Sequence, residues 1–314
     1  MPNTSIVKRA CPNPLCPAFR KHGQGNIRHH SFYVTSRGRR RRFRCNACGK
    51  TFCSTVGTPY YRLKKSRKCF DDVAAMSVEG VSKSTIARIQ QLAWNTVARW
   101  LELAAKFARR FNQRMIRGFH LIELQADEIA SFVQNKKHQL WLFTTLEVWS
   151  RLWVSFLAGR RSYRHARTVL SDTIARAPIK TRFLFTTDGF EPYAWAVKRL
   201  LPFICIYGQV IKQRHNNRVT QIERRLISGT KTQLHLALFD SEDSSTLNTS
   251  FVERHNLTIR QGSSYLCRRS SCYARYTKYL ENQMEPLRTY YNFIRPHSRL
   301  KFGREIRTPH LAPA

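Results

Sequence analysis

At 314 residues, 42% hydrophobic and 12% aromatic, the chain has the apolar material for two or three domains and is excluded from the disordered polyelectrolytes. Charge is the anomaly: 55 Lys and Arg against 19 Asp and Glu leave +36, and the first acidic residue is Asp71. A field of that sign calls for a polyanion, and with no secretory signal and no apolar run near the roughly 18 residues of a membrane span, nucleic acid is expected and membrane is not.

Nine cysteines open the chain's chemistry. The odd count and the metal-like spacing of four of them argue against a disulfide ladder and for a reducing, cytoplasmic setting. Cys11-x4-Cys16 and Cys45-x2-Cys48 form two knuckles, the second followed by Gly49, which permits a tight turn. Four thiolates on two adjoining turns can hold one structural Zn²⁺, so a zinc ribbon is expected over residues 1–60, with Cys53, His29 and His30 as substitute ligands. Between the knuckles runs a strand-like segment carrying Arg39, Arg40, Arg41 and Arg42. With no acid nearby, these four are expected on phosphate.

A basic linker, KKSRK at Lys64 to Lys68, precedes a helical stretch from Asp72 to Phe111. Ser82 is a fair N-cap for STIARIQ, with Ile86 and Ile89 inward. After a break near Leu92 and Ala93, WNTVARWLELAAKF places Val97, Trp100, Leu101 and Ala104 on one face. Two helices with a tight joint predict a helix-turn-helix domain over 61–115, presenting Asn95, Thr96 and Arg99 to DNA, although the joint lacks the usual glycine.

From His120 the pattern turns to strands. HLIELQADEIASF alternates Ile122, Leu124 and Ala126 with a mostly polar face and runs into Asp127. Strands over His138–Val148 and Arg151–Ala158 follow, then a helix over Ser162–Ala177. RFLFTTDGF delivers Asp188 at a turn, a helix covers Tyr193–Leu201, and a short strand covers Phe203–Val210. Glu253 falls in a helix entered through Asn248, Thr249 and Ser250. The order predicts an α/β catalytic domain over 116–265. Residues 266–314 are read as a helix over Ala274–Ile294 and a basic, Pro-containing tail.

Asp127, Asp188 and Glu253 are expected to meet. Two unit charges 4 Å apart repel by about 4 kcal/mol at an effective dielectric of 20, so converged acids imply a bound cation or raised pKa values. Mg²⁺ or Mn²⁺, held as a pair by hard carboxylate oxygens, is the cofactor suited to phosphodiester chemistry. Asp240, Glu242 and Asp243 are rivals for the third acid but read as a solvated loop. Glu128 and Glu191, beside the two Asp residues, are expected to point elsewhere.

ADEIASFVQNKKHQLWLF around Asp127, TTDGF around Asp188, FVERHNLTIRQ around Glu253 and the ending YYNFIRPHSRL together resemble a DDE-type insertion-sequence transposase, most similar to the insertion-sequence-one family. The resemblance spans nearly the whole chain. It implies a ribonuclease-H-like fold behind a zinc ribbon and a helix-turn-helix, in a prokaryotic, nucleoid-associated protein. It also implies that Asp127 bridges two metals while Asp188 and Glu253 each ligate one. Water would free a 3′-hydroxyl at an inverted-repeat end, and that hydroxyl would attack target DNA. Arg260, seven residues after Glu253, matches a DNA-contacting Lys or Arg of that family. His255 is read either as holding a phosphate or water or as a surface position. Joining two ends implies a homodimer or larger assembly. A zinc and helix-turn-helix regulator without catalysis, and a nuclease of the same fold, are the competing readings.

Overall fold

Arg39 to Arg42 lie on the middle strand of a small antiparallel sheet made of β1 (Ile27–Thr35), β2 (Gly38–Cys45) and β3 (Thr51–Cys53). The structure, a computed structural model, describes residues 6, 9–35, 38–179, 181–216, 218–241, 244–302 and 305–311. The chain divides into two compact units, Met1–Asp71 and Asp72–Ala314. In the first, Ile27 and Phe43 pack against Cys11, Cys16 and Cys45 as the only sizeable apolar core among the described residues. Such a core is too small to hold a domain by itself.

Next come α1 (Arg67–Val78), α2 (Lys83–Ile89) and α3 (Trp94–Met115). Ser82 caps α2 as the sequence predicts, its hydroxyl accepting from the Thr85 amide at 3.2 Å. The joint that lacks glycine is turned by Gln91 at φ +49°. Ala105, rather than Ala104, is fully buried beside Val97 and Trp100.

The second unit is built on a six-stranded mixed sheet. Its elements are β4 (Glu123–Phe132), β5 (Gln139–Glu147), β6 (Leu152–Gly159), α4 (Tyr163–Ile174), β7 (Phe183–Asp188), α5 (Glu191–Leu200), β8 (Cys205–His215), β9 (Arg218–Ser228), α6 (Lys231–Phe239), α7 (Ser250–Gln261) and α8 (Thr277–Phe293). A two-residue pair, β10 (Lys301–Phe302) and β11 (Glu305–Ile306), follows. Strand order is β6-β5-β4-β7-β8-β9. β4, β7 and β8 run parallel, while β5, β6 and β9 join antiparallel to their neighbours.

Helices cover both faces of the sheet. Leu124, Phe143 and Phe185 meet Val169, Leu170, Tyr193 and Val197 of α4 and α5 on one side. Ile129, Leu142 and Trp153 meet Ile259, Met284 and Leu287 of α7 and α8 on the other. This double cover overturns the half-polar reading of β4. A central strand is buried on both faces, so Glu123 and Gln125 are buried while Ile122, just before the strand, is 45% exposed. The buried polar groups are satisfied. Gln125 donates to the Asn248 carbonyl at 2.9 Å and accepts from the Val252 amide at 3.1 Å, and Glu123 accepts from Ser244 at 2.8 Å. Asp127 also lies within β4 instead of ending it.

α3 is fixed to α8 by a buried acid. Glu285 accepts from Asn112 at 2.8 Å and pairs with Arg109 at 3.2 Å and Arg288 at 3.0 Å. The helices expected as a separate module over 61–115 therefore pack, from Asp72 onward, in one compact unit with the sheet, as does the segment from 266. Gly80 brings the end of α1 onto α7: a Cβ there would lie 2.3 Å from the Gln261 carbonyl oxygen.

Candidate active site

Ala126 pairs with Thr187, and β7 stops one residue later at Asp188 while β4 continues to Phe132. β4 thus outruns its parallel neighbour. Consecutive side chains leave a strand on opposite faces, but beside the end of β7 both faces open into one notch. Carboxylate oxygens of Asp127, Glu128 and Asp188 lie there within 4.8 Å of one another. Glu253, in the first turn of α7, lines the same cavity of about 990 Å³ but is not in that tight group.

Each acid is positioned. Asp127 accepts from the Glu128 amide and from Asn256 Nδ2, both at 2.8 Å. Thr144 fixes Asn256 by donating to its Oδ1 at 2.9 Å. Asp188 accepts from the Phe190 amide at 2.9 Å, which turns the chain out of β7. Glu253 accepts from Thr249 at 2.5 Å and is ion-paired with Lys212. Arg161 donates to Glu128 at 3.1 Å and reaches Asp188 at 3.7 Å, its guanidinium stacked 4.1 Å from the Phe190 ring.

The cluster holds more negative charge than its hydrogen bonds offset. Burial, with the charges of Asp188 and Glu253 adding to it, pushes the Asp127 carboxyl up to about 6. Burial, then Asp188 and Asp127, push Glu128 up to about 8. The buried hydroxyl of Tyr193 neighbours the Glu128 carboxylate, and burial with the surrounding acids holds that phenol well above its ordinary pKa. Three carboxylates gathered within 4.8 Å of one another are a set of hard oxygen donors whose mutual repulsion a divalent cation relieves, so the donor set fits Mg²⁺ or Mn²⁺.

The sequence reading expected Glu128 to point elsewhere, and strand alternation alone would send it away from Asp127. The early end of β7 brings it back, and no local sequence signal marks that. Glu191 opens α5, takes the Tyr163 hydroxyl and lines the cavity rim. Asp240 caps the end of α6 away from the cluster, while Glu242 and Asp243 lie outside the described residues. Arg260 lines the cavity as α7's period requires, two turns along from Glu253.

Of the two readings of His255, the surface position is the one that fails. The side chain is 2% exposed and packed between Trp153 and Tyr291, with ring centroids 4.9 and 4.6 Å away, so it is neither on the surface nor at the acidic cavity. Residues 253, 256, 257 and 260 take the cavity face of α7, which turns position 255 inward.

In the first unit, Cys11, Cys16, Cys45 and Cys48 bring their sulfurs within 4.8 Å of one another. Cys11 and Cys48 are 3.6 Å apart and Cys16 and Cys45 3.8 Å. A tetrahedron with Zn–S bonds near 2.3 Å has edges of about 3.8 Å, so the x4 knuckle fits zinc as well as the x2 one. The Lys50 amide pulls the Cys48 thiol down to about 6. Cys53 lies outside the cluster beside Thr55, and His29 contacts Arg41 instead. Arg39 to Arg42 are exposed on β2, with Arg39 and Arg41 stacked on Phe32. At the start of α3, Asn95 and Arg99 are exposed and Thr96 is half-buried.

No protein-family model matches the chain, and no curated protein sequence does. Among solved structures, a piggyBac transposase synaptic complex with hairpin DNA matches over 74% of this chain at 10% identity and a TM-score of 0.36. The chain spans 65% of that transposase chain.

Proposed function

We propose that the chain is a DNA transposase of the DDE type, with a ribonuclease-H-like domain that acts on the inverted-repeat ends of an insertion sequence. Among the described residues no helix is long and apolar enough to cross a membrane, and the +36 charge is the partner signal. The single observation that carries the reading is the convergence of Asp127 and Asp188 where β4 outruns β7, with Glu253 entering the same basic-walled cavity. The element order along the chain supports it too: three strands, then helix, strand, helix and strand, is the order that the ribonuclease-H resemblance implies, with β9 as an added antiparallel edge.

Asp127, Asp188 and Glu253 would hold a pair of Mg²⁺ or Mn²⁺ ions, with Glu128 as a further oxygen donor. Bound there, such ions favour an anionic attacking oxygen and relieve charge on the leaving oxygen. Asn256 and Thr144 keep Asp127 oriented. Arg161 and Lys212 neutralise Glu128, Asp188 and Glu253 in the resting arrangement and must release them as ions and DNA arrive. Freed, the two cations and Arg260 face the cavity where a scissile phosphate would sit. One Zn²⁺ on Cys11, Cys16, Cys45 and Cys48 would hold the ribbon that presents Arg39 to Arg42 to phosphates. Asn95, Thr96 and Arg99 would contact end DNA, and two ends would require at least a dimer.

Labelled DNA from the flanks of the coding sequence, incubated with the protein, Mg²⁺ and a target plasmid, tests the reading. Joined product is expected. Cleavage without joining would indicate a nuclease, and a mobility shift with no covalent change would indicate a DNA-binding regulator.

A further inference from the structure

A second cavity, of about 700 Å³, opens on the other side of α7 from the acids. Glu253, Asn256 and Arg260 face the acidic cavity, whereas Ser250, Arg254, His255 and Thr258 face this one. Its remaining wall comes from Arg151, in the turn between β5 and β6, and from the segment after α8 that carries Arg295, His297 and Arg299. Four guanidinium groups thus surround one space whose described lining residues include no carboxylate.

One buried member of the cavity, His255, is unsatisfied. His255 is 2% exposed, and neither of its ring nitrogens has a hydrogen-bond partner among the described residues. Arg151 is 7% exposed and is held in place by donating to the Val148 carbonyl at 2.6 Å and by stacking 4.1 Å over Phe251. Burial, and then the charges of Arg151, Arg295, Arg254 and Arg299, push His297 down to about 4. Gathering like charges costs free energy unless an anion joins them. Planar guanidinium forks match phosphate oxygens two at a time, and the volume is that of a nucleotide-sized ligand.

We infer that this cavity is a phosphate-binding site, distinct from the acidic one, that seats a phosphate group against the face of α7 opposite Glu253. The site stands on the cavity alone, and only a DNA strand as the source of that phosphate rests on the function proposed above. A backbone phosphate held here would clamp DNA to the helix that carries Glu253. A free phosphate would use the same contacts.

The exposed pair Arg254→Gln/Arg299→Gln tests it in the zinc-loaded full chain, with Lys198→Gln/Arg199→Gln on α5 as a control that removes the same charge. Inorganic phosphate, titrated by calorimetry, is expected to bind wild type and control alike and to bind the cavity variant roughly tenfold more weakly. For a 30-base-pair duplex followed by fluorescence anisotropy, the slope of log affinity against log salt is expected to fall by about one for each DNA phosphate that the variant no longer neutralises. Loss of both responses in the cavity variant alone assigns the site to a DNA phosphate. Loss of the phosphate response with the duplex unaffected assigns it to a free phosphate. No phosphate binding by wild type, or equal loss in both variants, overturns the site. A wild type that binds phosphate but no duplex sinks the transposase reading and leaves the site standing.

Discussion

Two clusters of would-be metal ligands sit in this chain, and they are built in opposite ways. The four cysteines come from two short turns, and the unit around them has little apolar core of its own. The acids come from a central strand, a strand end and a distant helix, on a scaffold with a core on each face of its sheet. Where the fold is weak, a metal held by the four cysteines would be part of the fold. Where the fold is strong, it can hold repelling acids in readiness for metal, and Asp127 and Glu128 carry that strain as raised pKa values.

Metal removal breaks the comparison most sharply. Structural zinc contributes on the order of 10 kcal/mol of apparent folding free energy. Chelation, or Cys45→Ser, is expected to abolish hydrogen-exchange protection through β1 to β3 while β4 to β8 stay protected. All six tryptophans lie in the second unit, so their fluorescence should not change. Loss of both units together would mean that the acid-bearing scaffold is not self-sufficient.

Asp188→Asn is the counterpart on the acid side. Joining is expected to fall on the order of a thousandfold, comparable to losing one preorganised electrostatic group. End binding and the thermal midpoint should hold, because Asp188 is partly exposed and its main structural bond, from the Phe190 amide, can be taken by the Asn carbonyl. Full joining activity in this variant would remove Asp188 from the site.

Glu128 sharpens the contrast. If it is a donor, Mg²⁺ at a hundredfold excess over its dissociation constant stabilises the wild-type second unit by roughly 2.7 kcal/mol. Glu128→Gln is expected to gain stability without metal and to respond less to Mg²⁺, both read from tryptophan fluorescence during urea unfolding. An unchanged Mg²⁺ response would confine the ions to Asp127, Asp188 and Glu253.

What the residues disclosed follows the same division. The cysteine pairs were legible because their ligands are neighbours in sequence, and Ser82 was legible because a cap acts over three residues. The strands bearing Asp127 and Asp188 were legible from apolar runs. Glu128 was not, since its place depends on where another strand stops. Nor was the inward turn of His255, which needs the packing of α7 against Trp153 and Tyr291. β9 and α6 were missed: β9 is an edge strand with a mostly exposed burial pattern, and α6 has no buried residue, so neither carries a strong apolar period.

The smallest effect concerns a buried acid that stands apart from the cluster. Glu147, at the end of β5, is fully enclosed, and burial pushes it up to about 7 despite bonds from Ser150 and the Trp149 amide. Its folded pKa lies above the ordinary 4.5, so between those values the native state keeps a proton that the unfolded chain has released. Stability is therefore lost as pH rises through that window, by up to ~1.4 kcal/mol per pH unit. Glu147→Gln keeps an oxygen for the Ser150 and Trp149 amides but cannot titrate. Urea unfolding followed by tryptophan fluorescence should give it a flatter pH dependence than wild type from pH 5 to 7.5, and Mg²⁺, acting through Asp127 and Glu128, should change the slope of both proteins alike and leave the difference between them unchanged. If Mg²⁺ erased that difference, the cation would be reaching Glu147, and the acidic notch would not be the only place on this sheet where carboxylates wait for metal.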